Sequence, residues 1–518
     1  MARDANLLLS TEKGLPLVQK VGDFRLAVCF PGDYAWGMAN LGYQSLLRLV
    51  FEAPYWRGER FFSASGPFSV ETGVSLASFD VLAFSLSFEL DVFRLVTFLQ
   101  EGRIPLFTHQ RDENDPWVIV GGPLVTLNPE IVAPFVDFAF IGEGEEIFPQ
   151  ILALWREGKR NGMPRLEMKK TLSSLPGVYV PEGVIPIYRD GDLVGFEKQE
   201  GFFFPVLRQV TNLELFETRT FIYAPSAYFR ETALIEVNRG CAYRCRFCAG
   251  RYLYSPLRQR SFQLVQRMLE NVSGWTDRIG LVGSDVLSYP ELEELLRYLM
   301  VHQKELTCSS LSGLRLRENQ SLLTLLRRGG LRTLTIAPES GSCRLRRFLG
   351  KGLQNEEWKE LVEQAVKVGF DRIKLYFILG KPGGGVEEDL EFLQKIMVTV
   401  PSTRMAVSYS FLVPKPHTLL QDLVPPSLAV WKREKEMFER GLRKFGVEVS
   451  GESPRFAFLE LLLSRGDRLL AEKIPEVLHR GGNFAAWRRA LQELKRDPEE
   501  WPRFPWRGEV RPWSMVLN

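Results

Sequence analysis

Blocks of apolar residues recur along the chain at intervals that suit strands separated by helices. LAVCF, beginning at Leu26, reads as a buried strand, and PGDYAWGMANLGYQSLLRLVF after it reads as a loop entering an amphipathic helix. FDVLAFSLSF (79–88) predicts a second strand, DVFRLVTFLQEG a helix and PWVIVGGP (116–123) another strand. VDFAFIGEGEEIFPQILALWREG predicts a strand, a Gly-rich turn and a helix. Apolar strands alternating with helices predict a parallel sheet covered on both faces, and such sheets bind ligands beyond the carboxyl ends of their strands. Those ends carry Gly32, Asp33, Ser85, Ser87, Gly121, Gly122, Gly142 and Gly144. Residues this small admit close approach of a large ligand, and they serve equally well to turn a strand into a helix.

The pattern changes over 161–231. VYVPEGVIPIYRDGDLVGFEKQ predicts a β-hairpin with a DGD turn, and the aromatic-rich stretch behind it predicts extended chain joining two larger units. From Thr232 the alternation resumes, with strands at ALIEVN, RIGLVG, LTCSSLSG, RTLTIAP, DRIKLYFI and MAVSYSFL and helices such as PELEELLRYLM and NEEWKELVEQAVKVG between them. This length fits a partial (βα)6 barrel rather than a full eight-unit barrel, which takes about 250 residues. From 426 the pattern becomes helical. The expected architecture is α/β, in four parts: a doubly wound, Rossmann-like sheet over 1–160, a β-rich linker over 161–231, a (βα)6 barrel over 232–425 and a helical region over 426–518.

The charge balance narrows the partners. Lys and Arg number 66 against 63 Asp and Glu, and a net charge of +3 argues for neither a nucleic acid nor a membrane surface. The start, MARDANLLLS, has no secretory pattern, and no segment reaches about 18 uninterrupted apolar residues, so no membrane association is expected. Six cysteines in 518 residues are too few for a disulfide-built scaffold, and a reducing, cytoplasmic setting follows. In that setting clustered thiols point to metal or catalysis.

Three of the six stand within NRGCAYRCRFCAGR, as Cys241, Cys245 and Cys248. The spacing is Cys-x3-Cys-x2-Cys at the end of the first barrel strand. A structural zinc site would be closed by a fourth Cys or His with its own short spacing, but Cys29, Cys308 and Cys343 are scattered and the four histidines are distant in sequence. A cubane 4Fe-4S cluster is normally held by four thiolates, so three on one loop leave one iron open. This motif, with aromatic Phe247 before its last cysteine, resembles that of the radical S-adenosylmethionine (SAM) superfamily. The resemblance implies a cluster on Cys241, Cys245 and Cys248, and SAM chelated to the open iron through its amino and carboxylate groups. One electron then cleaves SAM to methionine and a 5'-deoxyadenosyl radical that abstracts a substrate hydrogen.

The resemblance continues at later strand ends. Gly283-Ser284-Asp285 stands where relatives carry a Gly-Gly-Glu type motif, Ser310 and Ser312 follow the third strand, and Glu339 and Ser340 match a Glu-Ser-Gly-Ser turn. Ser284, Asp285, Ser310, Ser312, Glu339, Ser340 and Gly380, the last within ILGKPGGG, are therefore the implied SAM-binding set, although Asp285 and Glu339 also suit helix N-caps. His417 in VPKPHT could carry protons at the mouth of the site or brace a turn. Cys29 and Cys308 read as core residues and Cys343 as the start of a helix.

The N-terminal block resembles the cobalamin-binding-like domain that precedes the barrel in one branch of this superfamily. LAVCFPGDYAWGMANLG, FSLSFE, VGGP and FIGEGEE occur in the order of that branch, and APESGSCRLRRFLGKG, SFLVPKPHT and LSRGDRLLAEKI extend the likeness to about Trp487. It implies that Asp33, Ser85, Ser87, Gly121, Gly122 and Gly142 line a cobalamin site. Asp33 to Gly37 lacks the histidine that ligates cobalt from below in other cobalamin domains. The three extra N-terminal cysteines of methylthiotransferases are also missing. The leading expectation is cobalamin-dependent methyl transfer to an unactivated carbon, with an external electron donor of the ferredoxin or flavodoxin type. The substrate class stays open among a small molecule, a peptide and RNA. Radical rearrangement, cyclisation or dehydrogenation without cobalamin is the alternative, and a non-catalytic cluster-bearing or RNA-binding protein is the third. The basic, Trp-rich C-terminus suits RNA stacking or a helix that closes the barrel.

Overall fold

The computed structural model describes residues 2–15, 22–401, 404–504, 506 and 508–517. They form two compact units, Met1–Glu231 together with Leu462–Asn518, and Thr232–Leu461.

The first unit is built on a six-stranded sheet. Its strands are β1 (Phe24–Phe30), β2 (Trp56–Phe62), β3 (Val81–Ser85), β4 (Trp117–Gly121), β5 (Phe138–Phe140) and β6 (Val178–Tyr179), in the order β2-β1-β3-β4-β5-β6. All pairs are parallel except the antiparallel β5–β6. Alternate residues of each strand serve opposite faces. Leu26, Val28, Val81, Ala83 and Ile119 pack with Tyr43, Leu47 and Val50 of helix α1 (Leu41–Glu52), and with Ile151, Leu152 and Trp155 of a later helix (Phe148–Arg160). On the other face Phe61 and Phe84 meet Phe98 of helix α2 (Asp91–Glu101) edge-on. This is the expected doubly wound sheet, and the strand order reverses between β1 and β3.

Two features depart from the expected elements. β2, WRGERFF, carries Arg57, Glu59 and Arg60 along an otherwise apolar strand, so its pattern does not read as buried. Glu59 and Arg60 are nevertheless buried, Glu59 facing Arg25 and Arg57, and Arg60 held by Glu12 and Glu71. The expected linker supplies β6 to this sheet, and its hairpin stands apart from it: β7 (Val184–Arg189) and β8 (Asp192–Lys198) join through Asp190 and Gly191, both at positive φ as a tight right-twisted hairpin requires.

The two main sheets of the second unit are parallel, and a short antiparallel pair, Asn238–Arg239 with Arg258–Gln259, flanks the cysteine loop. β9 (Thr232–Glu236), β10 (Arg278–Val282) and β11 (Glu305–Cys308) form one sheet, and β12 (Thr333–Glu339), β13 (Arg372–Leu379), β14 (Met405–Phe411) and β15 (Glu448–Gly451) another. A parallel bridge between Leu311 and Ile336 links them. The first six strands form the expected partial barrel. β15 is a seventh, paired with β14 beyond helix Leu428–Lys444, so the βα alternation runs past 426 where only helix was expected. Four residues with a single apolar side chain left β15 without a strand signal.

The chain from 462 onward belongs to the first unit. Trp487 of helix Phe484–Glu493 is buried and packs on Phe93, while Trp501 and Trp513 are buried too. Arg496 lies over Trp501, and Arg465 and Arg511 lie over Trp506. These rings are covered by the chain's own residues.

Candidate active site

β9 is buried at every position and ends at Glu236, which organises the cysteine loop. Its carboxylate accepts two hydrogen bonds from Arg239 (3.0 and 2.9 Å) and one from Arg260 (2.5 Å). Burial alone would raise its pKa, but the two guanidiniums outweigh burial and hold Glu236 below the usual carboxylate range. Arg239 stands before the loop and Arg260 after it, so one carboxylate ties both ends together. Gly240 enters the loop at φ +90°, where a Cβ would lie 2.5 Å from the carbonyl oxygens of Tyr254 and Pro256. No side chain fits immediately before Cys241.

Cys241, Cys245 and Cys248 are free, half-buried thiols. Burial pushes Cys241 and Cys245 up, the neighbouring thiolates act in the same direction, and the Lys351 ammonium opposes them. A bound metal supplies the positive charge that reverses this balance. The donor set is soft and sulfur-only, which suits an iron–sulfur cluster. Among the described residues no three His, Cys, Asp or Glu side chains converge on a single metal position. Three thiolates spread over a cubane do not need to converge, because the cluster presents several irons.

The structure brings two of the expected acids to these thiols. Asp285, beyond β10, interacts with Cys241, and Glu339, at the end of β12, interacts with Cys245. Burial raises the pKa of both carboxyls. Asp285 is buried, and its Oδ2 has no hydrogen-bond partner among the described residues. That atom can accept a ligand's donor. Glu339 sits at φ +66° just past a register shift in β12, and its Oε1 lies 3.2 Å from Lys351 Nζ. It is no helix cap, because the next helix, α3 (Cys343–Leu349), begins after Ser342.

The remaining barrel residues divide. Ser284 and Ser310 are exposed at strand ends. Ser312 accepts from the Arg315 amide at the start of a helix and donates to the Tyr243 hydroxyl (2.9 Å), which joins the third strand end to the cysteine loop. Ser340 is fully buried and turned inward: it donates to Asp389 (2.7 Å) and accepts from the Ser342 amide, and Asp389 is further bound by Lys381. It shapes the turn instead of facing a ligand. Gly380 is required by packing, since a Cβ there would meet Trp431 at 2.4 Å, and its amide donates to Glu434. His417 stacks face to face on Tyr252 at 3.9 Å, four residues past Cys248. Cys29 is buried in β1 and burial raises its thiol, and burial pushes Cys308 up to about 12. Cys343 starts α3 and accepts from Arg346. Sequence reasoning missed Glu236, Gly240, Arg260 and Lys351; the Arg-Gly pair directly before Cys241 was the available signal for the first two.

In the first unit the topological switch point lies between β1 and β3, and ligands of such sheets bind there. Ser85 and Gly121 end neighbouring strands in register. A Cβ on Gly121 would meet nothing nearer than Phe140 at 3.9 Å, so this position is open. Gly122 is not open: a Cβ would strike the Leu86 carbonyl oxygen at 2.4 Å. Gly142 serves a different purpose from the one expected. The segment around Gln209 bridges to it, a Cβ would lie 2.4 Å from the Gln209 oxygen, and Glu143 and Glu146 bind the Thr211 and Asn212 amides. The chain itself fills that strand end. Asp33 accepts from the Trp36 amide and caps helix Tyr34–Met38, and the Ser87 amide donates to Asp91. Trp36 and Tyr228, both about half-exposed, stack at 3.6 Å. A cleft of about 560 Å³ elsewhere in this unit, lined by His109, Pro134, Glu182 and Arg468 among others, contains none of the expected site residues.

The family model of the radical SAM superfamily matches residues 235–396, and that of the N-terminal region of radical SAM proteins matches 43–181. An uncharacterised protein of Methanocaldococcus jannaschii is 27% identical over 416 residues, 79% of this chain and 82% of its own. An uncharacterised methyltransferase of Pyrococcus horikoshii is 24% identical over 315 residues, 57% of this chain and 61% of its own. Among solved structures, the cobalamin-dependent SAM radical enzyme OxsB, with aqua-cobalamin and SAM bound, superposes with a TM-score of 0.51 at 13% identity. The match covers 82% of this chain and 58% of that one, and the likeness is one of fold. Among the described residues no helix is long and apolar enough to cross a membrane.

Proposed function

Because the chain belongs to the radical SAM superfamily, we propose that its reaction is a cobalamin-dependent methyl transfer to an unactivated carbon. It is a radical SAM enzyme, and its cofactors are a 4Fe-4S cluster and SAM. The observation that carries the finer reading is the open strand end at Ser85 and Gly121, beside the switch point of a doubly wound sheet. Support comes from the fold likeness to OxsB and from the relative named as a methyltransferase.

The residues divide the work as follows. Cys241, Cys245 and Cys248 hold the cluster, while Glu236, Arg239 and Arg260 fix the loop that presents them. A cluster held there would supply one electron for the cleavage of SAM to methionine and a 5'-deoxyadenosyl radical able to remove a substrate hydrogen. Asp285 offers a buried acceptor oxygen for the SAM ammonium. Lys351 neutralises Glu339, its ammonium held up by that carboxylate against the pull of burial. Ser85 and Gly121 leave room for a corrin at the switch point. Asp33 to Gly37 contains no histidine, so this stretch would offer no imidazole to a bound cobalamin.

Incubating the protein with hydroxocobalamin, removing the free cofactor and recording the visible spectrum tests this reading. Retained, stoichiometric cobalamin with a spectrum lacking imidazole ligation is expected, and Gly121→Trp should lose it while keeping its iron. A wild-type protein that keeps the absorption of its cluster but shows no cobalamin bands after washing would refute the cobalamin step and leave the radical chemistry intact.

A further inference from the structure

We propose that the outer face of the cysteine loop, together with helix α3, is the docking site for an acidic one-electron carrier protein. The proposal rests on the cluster assignment above. Five arginines lie on this face: Arg244, Arg246 and Arg251 from the loop and its following helix, and Arg344 and Arg347 one turn apart on α3. The two segments are in direct contact. The Arg246 amide donates to the Leu349 carbonyl (3.0 Å), the Arg246 guanidinium lies 5.1 Å over the Phe348 ring, and a Cβ on Gly350 would lie 3.1 Å from Cys245 Cα.

None of the five arginines forms an ion pair among the described residues, and Arg244, Arg344 and Arg347 are exposed. Several other arginines of this unit are neutralised: Arg239 and Arg260 by Glu236, Arg315 by Glu318, Arg317 by Glu360 and Arg372 by Glu448. Glu387 and Glu388, at the start of the helix that follows Gly383, are exposed but pair with none of the five, although Gly383 itself adjoins Arg344. Five arginines with no ion pair among the described residues are thus gathered on two contacting segments beside Cys245.

The cluster must gain an electron, which the partner loses, and electron transfer falls off steeply with distance. A donor has to bring its own redox centre close to the cysteine loop. A patch of one sign steers a partner of the other, raising association rates by about 10- to 1000-fold in a salt-dependent way. RNA is the less favoured anion, because it needs exposed rings for its bases. Phe247 packs against Leu349, Ile378 and Leu412, and Phe348 is covered by Arg246.

The test uses the full chain with its cluster reconstituted. Cluster bleaching is followed by stopped flow with reduced flavodoxin as the probe, and separately with dithionite, in the wild type and in R244E/R344E/R347E. The expected result is at least a tenfold slower reduction by flavodoxin in the variant at low salt. The wild-type rate should fall steeply with salt while the variant's does not, and dithionite should reduce both at the same rate. If the charge reversal lowers iron content, the triple Gln variant replaces it and should show a smaller loss in the same direction. Equal flavodoxin rates in wild type and variant would overturn the docking face, as would a variant that loses only binding to a single-stranded RNA. A wild type that takes up no iron and shows no bleaching with dithionite would instead remove the cluster assignment beneath it.

Discussion

Removing the Glu236 carboxylate would strip two buried guanidiniums, Arg239 and Arg260, of the counter-charge they share. Losing one member of such a buried group costs about 3–5 kcal/mol. Glu236→Gln is therefore expected to lower the denaturation midpoint of the barrel and to bind less iron after reconstitution, even though no cysteine has changed. Iron retained at the wild-type level with unchanged stability would show that the loop does not depend on this triad. The residue scale also shows what sequence can and cannot carry. The three cysteines were legible because their spacing is local and their chemistry narrow. Glu236 and Arg260 stand 24 positions apart and meet only through the antiparallel pairing of 238–239 with 258–259. Ser340 and Gly142 had the look of ligand residues, but Ser340 is satisfied by Asp389 and Gly142 makes room for Gln209. Small and polar side chains at a strand end do not reveal which way they face.

At the scale of elements, the helices and strands with clean apolar periodicity were predictable, and those carrying charge inward were not. β2 holds Glu59 and Arg60 in the interior because ion partners arrive from distant positions such as Glu12 and Glu71. Nothing local to WRGERFF announces them. Helix α2 shows a related balance at its amino end, where Asp91 accepts from the Ser87 and Phe88 amides. Burial pushes this carboxyl up to about 6 despite those bonds. The unfolded value is about 3.9, so the folded chain holds an extra proton between the two. The contribution of Asp91 is thus fully present below about pH 4 and is lost as pH rises through about 6. Thermal midpoints of the wild type relative to Asp91→Asn should fall across that window and level off above it. A difference that does not vary with pH would contradict the assignment.

For the whole molecule, the division of the chain was the least legible feature. The doubly wound sheet and the partial barrel follow from the order of strands and helices, as does the beginning of the second unit at Thr232. The return of 462–518 to the first unit depends on contacts such as those of Trp487 with Phe93 and of Arg468 with Glu130, which pair residues hundreds of positions apart. Composition suggested RNA stacking or a helix that closes the barrel, whereas Trp487, Trp501 and Trp513 are buried and this stretch belongs to the first unit. Chemistry and architecture meet in the three cysteines at the mouth of the barrel, and their function can be read without knowing the substrate. The measurement is the release of 5'-deoxyadenosine and methionine from SAM after anaerobic reconstitution and one-electron reduction. The wild type is predicted to form both in equal amounts, and the protein with Cys241, Cys245 and Cys248 all changed to Ala is predicted to form neither. A wild type that carries its full cluster yet leaves SAM intact, or an Ala variant that cleaves it equally well, would contradict the account.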